Sequence, residues 1–547
     1  MRLPPIALAL SIATGLLVST AARATTWYVA PGGNDTHPGS SPSAPFATIA
    51  KANAVAMPGD VVSVADGSYA DFPDPARSGT SSQRIRYVGN LAAPARVVVT
   101  AFGTLDRTDV TLVGFDFSAA FSLSGVRDSV AWCQAEGPRP QVALASDCVL
   151  AHCTITADRF WFMGGETDTA TKALRDTLTD NVITLHPPGP GSHTVRFRNV
   201  ERSLIRRCRF VISVPAAAYD ASITKFFFVK HCRIEDCSWD ASSACVTGCD
   251  EAGWFVLRDV TQDIYFLRDS ITLRGPGPTQ FFASAAGSYP GSIMHDHYDH
   301  CVFRQVGPTS YGSAMHYQDL AQNDTLTGCV LVSSEAALSF NTGIDRVLVD
   351  HCTLAGFDPY QGVLDLNNTA AWSSLAVRSS IMWAAPSEPR TREYATIVAQ
   401  LASASGHLSS DHNLVYGPMP RDSAIYCFNV GPSAPGSGKP WCTGVGEDCS
   451  SAFGNPLFLN TSSVAGFDAR LGAGSAALGL GFSGTDAGAF GSGSVPPLDV
   501  IPPAAIGNLG FGAGAAPAFG VAGPGGAGPA SRARSTLTRA AREQATP

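Results

Sequence analysis

The sequence predicts an all-β protein, a parallel β-helix solenoid with a short helical cap at its N-terminal end, on three observations. The first is composition. Of 547 residues, 45% are hydrophobic and 15% charged, with 54 Gly and 37 Pro, too apolar for a disordered polyelectrolyte and too rich in helix breakers for a coiled coil or helix bundle. The second is a repeat: an apolar residue, two mostly polar ones, a Cys or Asn, one further residue and another apolar one. It stands at 150–155, 205–210, 229–234, 298–303, 326–331 and 349–354, with weaker copies centred on Cys133, Asn181, Ser270, Ser380 and Asn413, a mean spacing of about 28 residues. The third is strand character. Short runs of Val, Ile, Phe and Thr alternate with Gly, Asp, Ser and Pro turns, and no long amphipathic helix lies between them.

A compact single core stops growing at about 250–300 residues, so a chain of this length is either several domains or one elongated repeat. The repeat decides for the second. Coils stacked about 4.8 Å apart bring equivalent side chains into a ladder, where a small polar or thiol side chain fits inside a bend that a large one could not.

From the N-terminus, residues 1–24 read as a secretory signal peptide: Arg2, an apolar stretch over 6–18, and Ala22-Arg23-Ala24 before the cleavage point. The apolar stretch is shorter than the roughly 20 residues that span a bilayer, and no later segment is longer, so a secreted, cell-surface or periplasmic protein without a membrane span is expected. The solenoid then occupies residues 25–494. Residues 495–547 read as a flexible Pro/Gly/Ala-rich tail ending in Arg532, Arg534, Arg539 and Arg542. Within it, 499–509 resembles the linker that introduces fibronectin-type modules, although too few residues follow to build one.

The opening Trp27-Tyr28-Val29-Ala30-Pro31-Gly32-Gly33-Asn34-Asp35, followed by Pro45-Phe46-Ala47-Thr48-Ile49, Pro58-Gly59-Asp60-Val61-Val62 and Gly67-Ser68-Tyr69, resembles the N-terminal cap and first coil of the secreted right-handed parallel β-helix superfamily, the pectate-lyase-like fold. Ser43 would cap the helix, Pro45 would sit in its first turn, and Phe46, Ile49 and Ala50 would cover the open end of the stack. Asn455-Pro456-Leu457-Phe458, Asp468-Ala469-Arg470-Leu471 and Asp486-Ala487-Gly488-Ala489-Phe490 are similar to the last coil of that group. The resemblance covers about residues 25–491 and implies a substrate groove on the outer face of one parallel sheet.

Alternation along the strands that would form this sheet points Val195/Phe197, Phe255/Leu257, Met315/Tyr317, Leu338/Phe340 and Leu364/Leu366 inward. Outward then fall Arg196 and Arg198, Val256 and Arg258, His316 and Gln318, Ser339 and Asn341, and Asp365 and Asn367. Trp161 extends the row as an aromatic platform. The outward-facing region 281–283 would supply the coil between Arg258 and His316.

A row of Arg, His, Gln, Asn and Asp suits an extended anionic oligosaccharide. β-Elimination of a uronide needs a neutralised carboxylate, a base and an acid. Arg258 or Arg198 could supply the first and His316 either of the others, because Arg stays charged and makes a poor base. Trp161, Arg196, Gln318, Asn341, Asp365 and Asn367 would contact substrate. The chain has no Asp-Asp pair and no Gly-His-Gly, so a polygalacturonase-like acid pair is unsupported, and no pectate-lyase-like calcium site or other cofactor is identifiable. The leading function is therefore a monomeric lyase acting on an acidic polysaccharide; the alternative is a non-catalytic, glycan-binding or adhesin-like solenoid. A net charge of −8, more negative once both ends are removed, disfavours nucleic acid.

His295, His297 and Asp299 form a minor metal candidate. His152, His231, His300, His351 and His412 each precede a ladder residue and read as a structural His stack. Of 14 Cys, seven occupy the ladder (Cys133, Cys153, Cys208, Cys232, Cys301, Cys329 and Cys352) and read as core thiols. Disulfides are expected within Cys237, Cys245 and Cys249 and within Cys427, Cys442 and Cys449, with Cys148 unassigned.

Overall fold

The computed structural model describes residues 24–165, 171–188, 193–215, 222–246, 254–276, 279–284, 293–307, 313–341, 343–358, 362–366, 371–385, 396–399, 407–427, 431–433, 435–436, 442–443 and 446–491. The predicted leader and tail lie almost entirely outside these residues, as do Asn367 and Cys249.

The chain winds as a right-handed parallel β-helix. The first sheet stacks 15 strands from Thr26–Val29 to Leu408–Asp411, and the second stacks 15 from Gly67–Tyr69 to Ala452–Phe453. The third begins at Gly103–Leu105 and reaches Ile425–Cys427. The register aligns like positions from coil to coil. In the second sheet, Ile155, Ile183, Phe210, Trp239, Ile271, Phe303, Leu331, Leu354, Met382 and Val415 pair in one inward ladder. All ten are buried, which makes the core a continuous apolar column.

The corners explain the repeat. Where the first sheet turns into the second, one residue adopts a left-handed conformation and the next points inward. His152, Asp180, Arg207, Asp236, Arg268, His300, His351 and His412 all have φ between 47° and 58°. Asp, Asn and His tolerate that region better than most residues, which is why His precedes the small residue so often. These His do not stack on one another: His152 lies against Trp132 at 4.1 Å, while His300 and His351 meet Asp299 and Asp350. The inward residue accepts a backbone N–H from the coil before it. Asn181 Oδ1 takes Cys153 N–H at 2.9 Å, Asp269 Oδ1 takes Cys237 N–H at 2.7 Å and Ser380 Oγ takes Cys352 N–H at 3.0 Å.

The corner leading into the first sheet uses the same device. Val110 N–H reaches Asp128, Cys148 N–H reaches Asp176 and Ile264 N–H reaches Asp296, at 2.7–2.9 Å. This second column corrects the ladder. Cys232 and His231 belong to it, between Thr224–Lys230 and Arg233–Glu235, and so does the unassigned Cys148. Cys237, expected in a disulfide, is a free thiol in the first column, and the place given to Ser270 belongs to Asp269. Cys442 pairs with Cys449, and Cys245 is disulfide-bonded.

The ends also differ from expectation. The cap helix is Ile49–Val55, with Thr48 rather than Ser43 accepting Lys51 N–H. Phe46, Ile49 and Ala52 are buried, whereas Ala50 is exposed. Residues 456–490 are not a coil. Phe458–Asn460 and Asp468–Leu471 pair only with each other, antiparallel, and Phe467, Leu471, Ala487 and Phe490 cover Val302, Val330, Ile381, Trp383 and Leu414 on the outer face of the second sheet. That stretch of the outer face is therefore closed to a ligand.

Candidate functional site

Two rows of positions paired by register run along the third sheet. The first pairs Gln141, Trp161, Arg196, Lys225, Val256, Phe282, His316, Ser339 and Asp365 on successive coils. The second pairs Met163, Arg198, Phe227, Arg258 and Ser284. Gln318 and Asn341 follow directly after the next two strands. The residues assigned inward by alternation, from Val195 and Phe197 to Leu364 and Leu366, are buried in the core. Phe281 and Ala283 of the intervening strand Gln280–Ser284, expected to face outward, are instead buried in the core.

The structure brings a cationic group together at the lower end of these rows. Trp161 is not an open platform: Arg139 lies 4.2 Å and Arg196 5.0 Å from its ring centre, and it is buried. Lys225 Nζ lies 5.0 Å from the ring of Phe227, with Arg196 and Arg198 each at 5.7 Å. Such placements let aromatic faces share the cost of gathering like charges. Asp259, next to Arg258 within the strand Trp254–Gln262, lies near this group. Burial raises its carboxyl pKa, opposed by the charges of Arg258, Lys225 and Arg198.

His316 lies farther up. Its Nδ1 is 2.7 Å from Ser339 Oγ and its Nε2 3.0 Å from Gln318 Oε1, while Ser313 Oγ contacts Ser339 Oγ at 3.0 Å. Burial holds the imidazole pKa below its ordinary value, partly offset by Gln318 and Asp319, so the ring is neutral at pH 7. A neutral imidazole beside a carboxamide oxygen donates from Nε2, which leaves Nδ1 to accept from the Ser339 hydroxyl. Two coil steps separate Arg258 from His316, about 10 Å along the axis, and Arg198 lies two further steps away, about 19 Å from His316. Asp365 is buried one coil beyond Ser339.

Sequence reading missed Lys225, Phe227, Asp259 and Arg139. Alternation puts Lys225 and Phe227 outward, but the run Phe226-Phe227-Phe228 hides the pattern. The metal candidate is not assembled. His297 stacks on Tyr265 and bonds Thr325, Asp299 pairs with His300, and His295 turns to Asp263. Among the described residues no group of three His, Cys, Asp or Glu is placed to hold a metal, and no helix is long and apolar enough to cross a membrane.

Residues 31–73 match a family described as a protein of unknown function, DUF1565. No curated protein matches the sequence. Among solved structures, the chain is similar to the Azotobacter vinelandii mannuronan C-5 epimerase AlgE6 A-module, at 9% identity and a TM-score of 0.41, covering 73% of this chain and 91% of that one. It is also similar to the pectate lyase Pel9A, at 13% identity and 0.29, covering 86% and 96%. A third is an alginate lyase from Paenibacillus sp. str. FPU-7, at 14% and 0.29, covering 58% and 94%.

Proposed function

We propose that this β-helix protein is carbohydrate-active, holding an acidic polysaccharide along the outer face of the third sheet and cleaving it as a lyase. The observation that carries the reading is one face bearing Arg196, Lys225, Arg198 and Arg258 together with a neutral His316. In β-elimination the base takes the proton α to the carboxylate, a carbon–carbon double bond forms, the glycosidic C–O bond breaks and the leaving oxygen takes a proton from water. Arg258, or Arg198 for a chain seated lower, offsets charge as it builds on the carboxylate. His316, unprotonated at neutral pH, takes the α-proton once substrate displaces Ser339 from Nδ1. Gln318, Asn341 and Asp365 contact neighbouring sugars.

The occupied ring nitrogens and the axial distance between Arg258 and His316 favour a second reading, a non-catalytic glycan-binding solenoid. A panel of uronic-acid polysaccharides, followed by the ultraviolet absorbance of unsaturated products, separates the two. The lyase reading expects product from at least one polymer. Binding without product from any of them supports the second reading instead.

A further inference from the structure

Beside Trp161 lies a cavity of about 320 Å³ lined by Arg139, Gln141, Asp158, Arg159, Phe102 and Pro138. It sits at the edge of the third sheet, where short turns join the second sheet to the strands Phe121–Leu123, Gln141–Ala143 and Phe160–Met163. None of the roles assigned above uses it.

Three features give the cavity a chemistry. First, many arginines elsewhere on the solenoid are neutralised by a carboxylate on a neighbouring coil: Arg127 by Asp109, Arg175 by Asp147, Arg207 by Asp180 and Arg268 by Asp236. Arg139 and Arg159 make no ion pair among the described residues. Second, Arg159 Nε is buried without a hydrogen-bond partner, a donor costly to leave unmet. Third, the guanidinium of the exposed Arg139 lies over the Trp161 ring, Cζ 4.2 Å from its centre, a contact that narrows the orientations of its fork before any ligand arrives. One carboxylate, Asp158, lines the same space and leaves a net single positive charge.

We infer that this cavity is a distal subsite that takes the carboxylate of one uronic-acid unit of a polymer lying in the groove. The inference deepens the proposed function and rests on it for the course of the polymer. Planar guanidinium donors match a carboxylate in two parallel bonds. Gln141 stands six coil steps below His316 through Trp161, Arg196, Lys225, Val256 and Phe282, about 29 Å along the axis. Arg196 and Lys225 mark the path between. A short oligomer cannot reach both places, whereas a chain of about six or more sugars can, so the protein selects long anionic chains.

The test measures binding, by calorimetry on the full chain, of uronate oligomers eight units long and of neutral gluco-oligomers of equal length. The parent should bind the uronate and not the neutral oligomer. Arg139→Gln and Arg159→Gln should each weaken uronate binding at least tenfold, and Asp158→Asn should tighten it. Arg139→Lys keeps the charge without the fork and should fall between parent and Arg139→Gln; an unchanged thermal melt for each variant shows that the fold is intact. Equal binding of the neutral oligomer, no uronate binding by the parent, or unchanged binding in both Arg→Gln variants overturns the inference. Uronate binding that follows these variants while no polymer yields product overturns the lyase reading and leaves the subsite standing.

Discussion

Asn181→Ala tests whether the corner side chains hold the coils together through the preceding coil's backbone. Asn181 is buried, its Oδ1 accepts Cys153 N–H at 2.9 Å, and its Nδ2 donates to Leu150 C=O at 2.9 Å. Alanine leaves one buried donor and one buried acceptor without partners. Each costs about 1–3 kcal/mol, so the variant should lose about 2–6 kcal/mol. The informative control is Asn181→Cys, because Cys fills the equivalent place on other coils. Cys237 Sγ accepts Cys208 N–H at 3.4 Å, and Cys329 Sγ donates to Tyr298 C=O at 3.3 Å, so a thiol makes both bonds in weaker form and should cost roughly half as much as Ala. Urea unfolding followed by circular dichroism gives the global loss. A solenoid can open locally, so hydrogen exchange of the Cys153 amide provides the site-specific reading. It should quicken most in Asn181→Ala and less in Asn181→Cys. An Ala variant as stable as the parent, or a Cys variant less stable than the Ala variant, refutes the reasoning.

Burial pushes the Asp128 and Asp176 carboxyls up to about 7, and the second oxygen of each has no partner. A folded pKa above the unfolded value of about 3.9 gives stability that is complete below the latter and lost as pH rises through the former. The urea midpoint should therefore carry a component that falls between about pH 4 and pH 7, and Asp176→Asn should shrink that component; an identical pH profile in the variant counts against it. The nine buried free cysteines among the described residues should resist thiol reagents in the native protein, and titration of denatured protein without reductant should find at least six, with fewer than three refuting the thiol ladder. Arg258→Ala should weaken polyuronate binding by about 1.5–3 kcal/mol, the worth of a charge-assisted contact. His316→Ala should abolish product formation with binding nearly intact, and a variant pair indistinguishable from the parent in both measurements removes these residues from the groove.

The sequence by itself determined the coil. Its period, the inward alternation of pairs such as Val195/Phe197 and Met315/Tyr317, and the frequent His before a small residue all follow from local rules: pleat, apolar periodicity and tolerance of left-handed backbone. Tertiary structure decided what those rules leave degenerate. Both corners flanking the first sheet pair a left-handed residue with a small side chain, so Cys232 and Cys208 look alike in sequence and separate only through their neighbours in the stack: Cys208 N–H reaches Cys237 Sγ in one column, while Cys232 Sγ donates to Val200 C=O in the other. Asp269 and Ser270 could each fill one place until the register chose Asp269. Residues 456–490 have the composition of a coil, but the apolar outer face of the second sheet draws them across it. The cationic group is likewise invisible along the chain, because Arg139, Trp161, Arg196, Lys225 and Phe227 come from four different coils. Contacts between coils depend on stacking order, and local propensity carries no record of which coil lies above which.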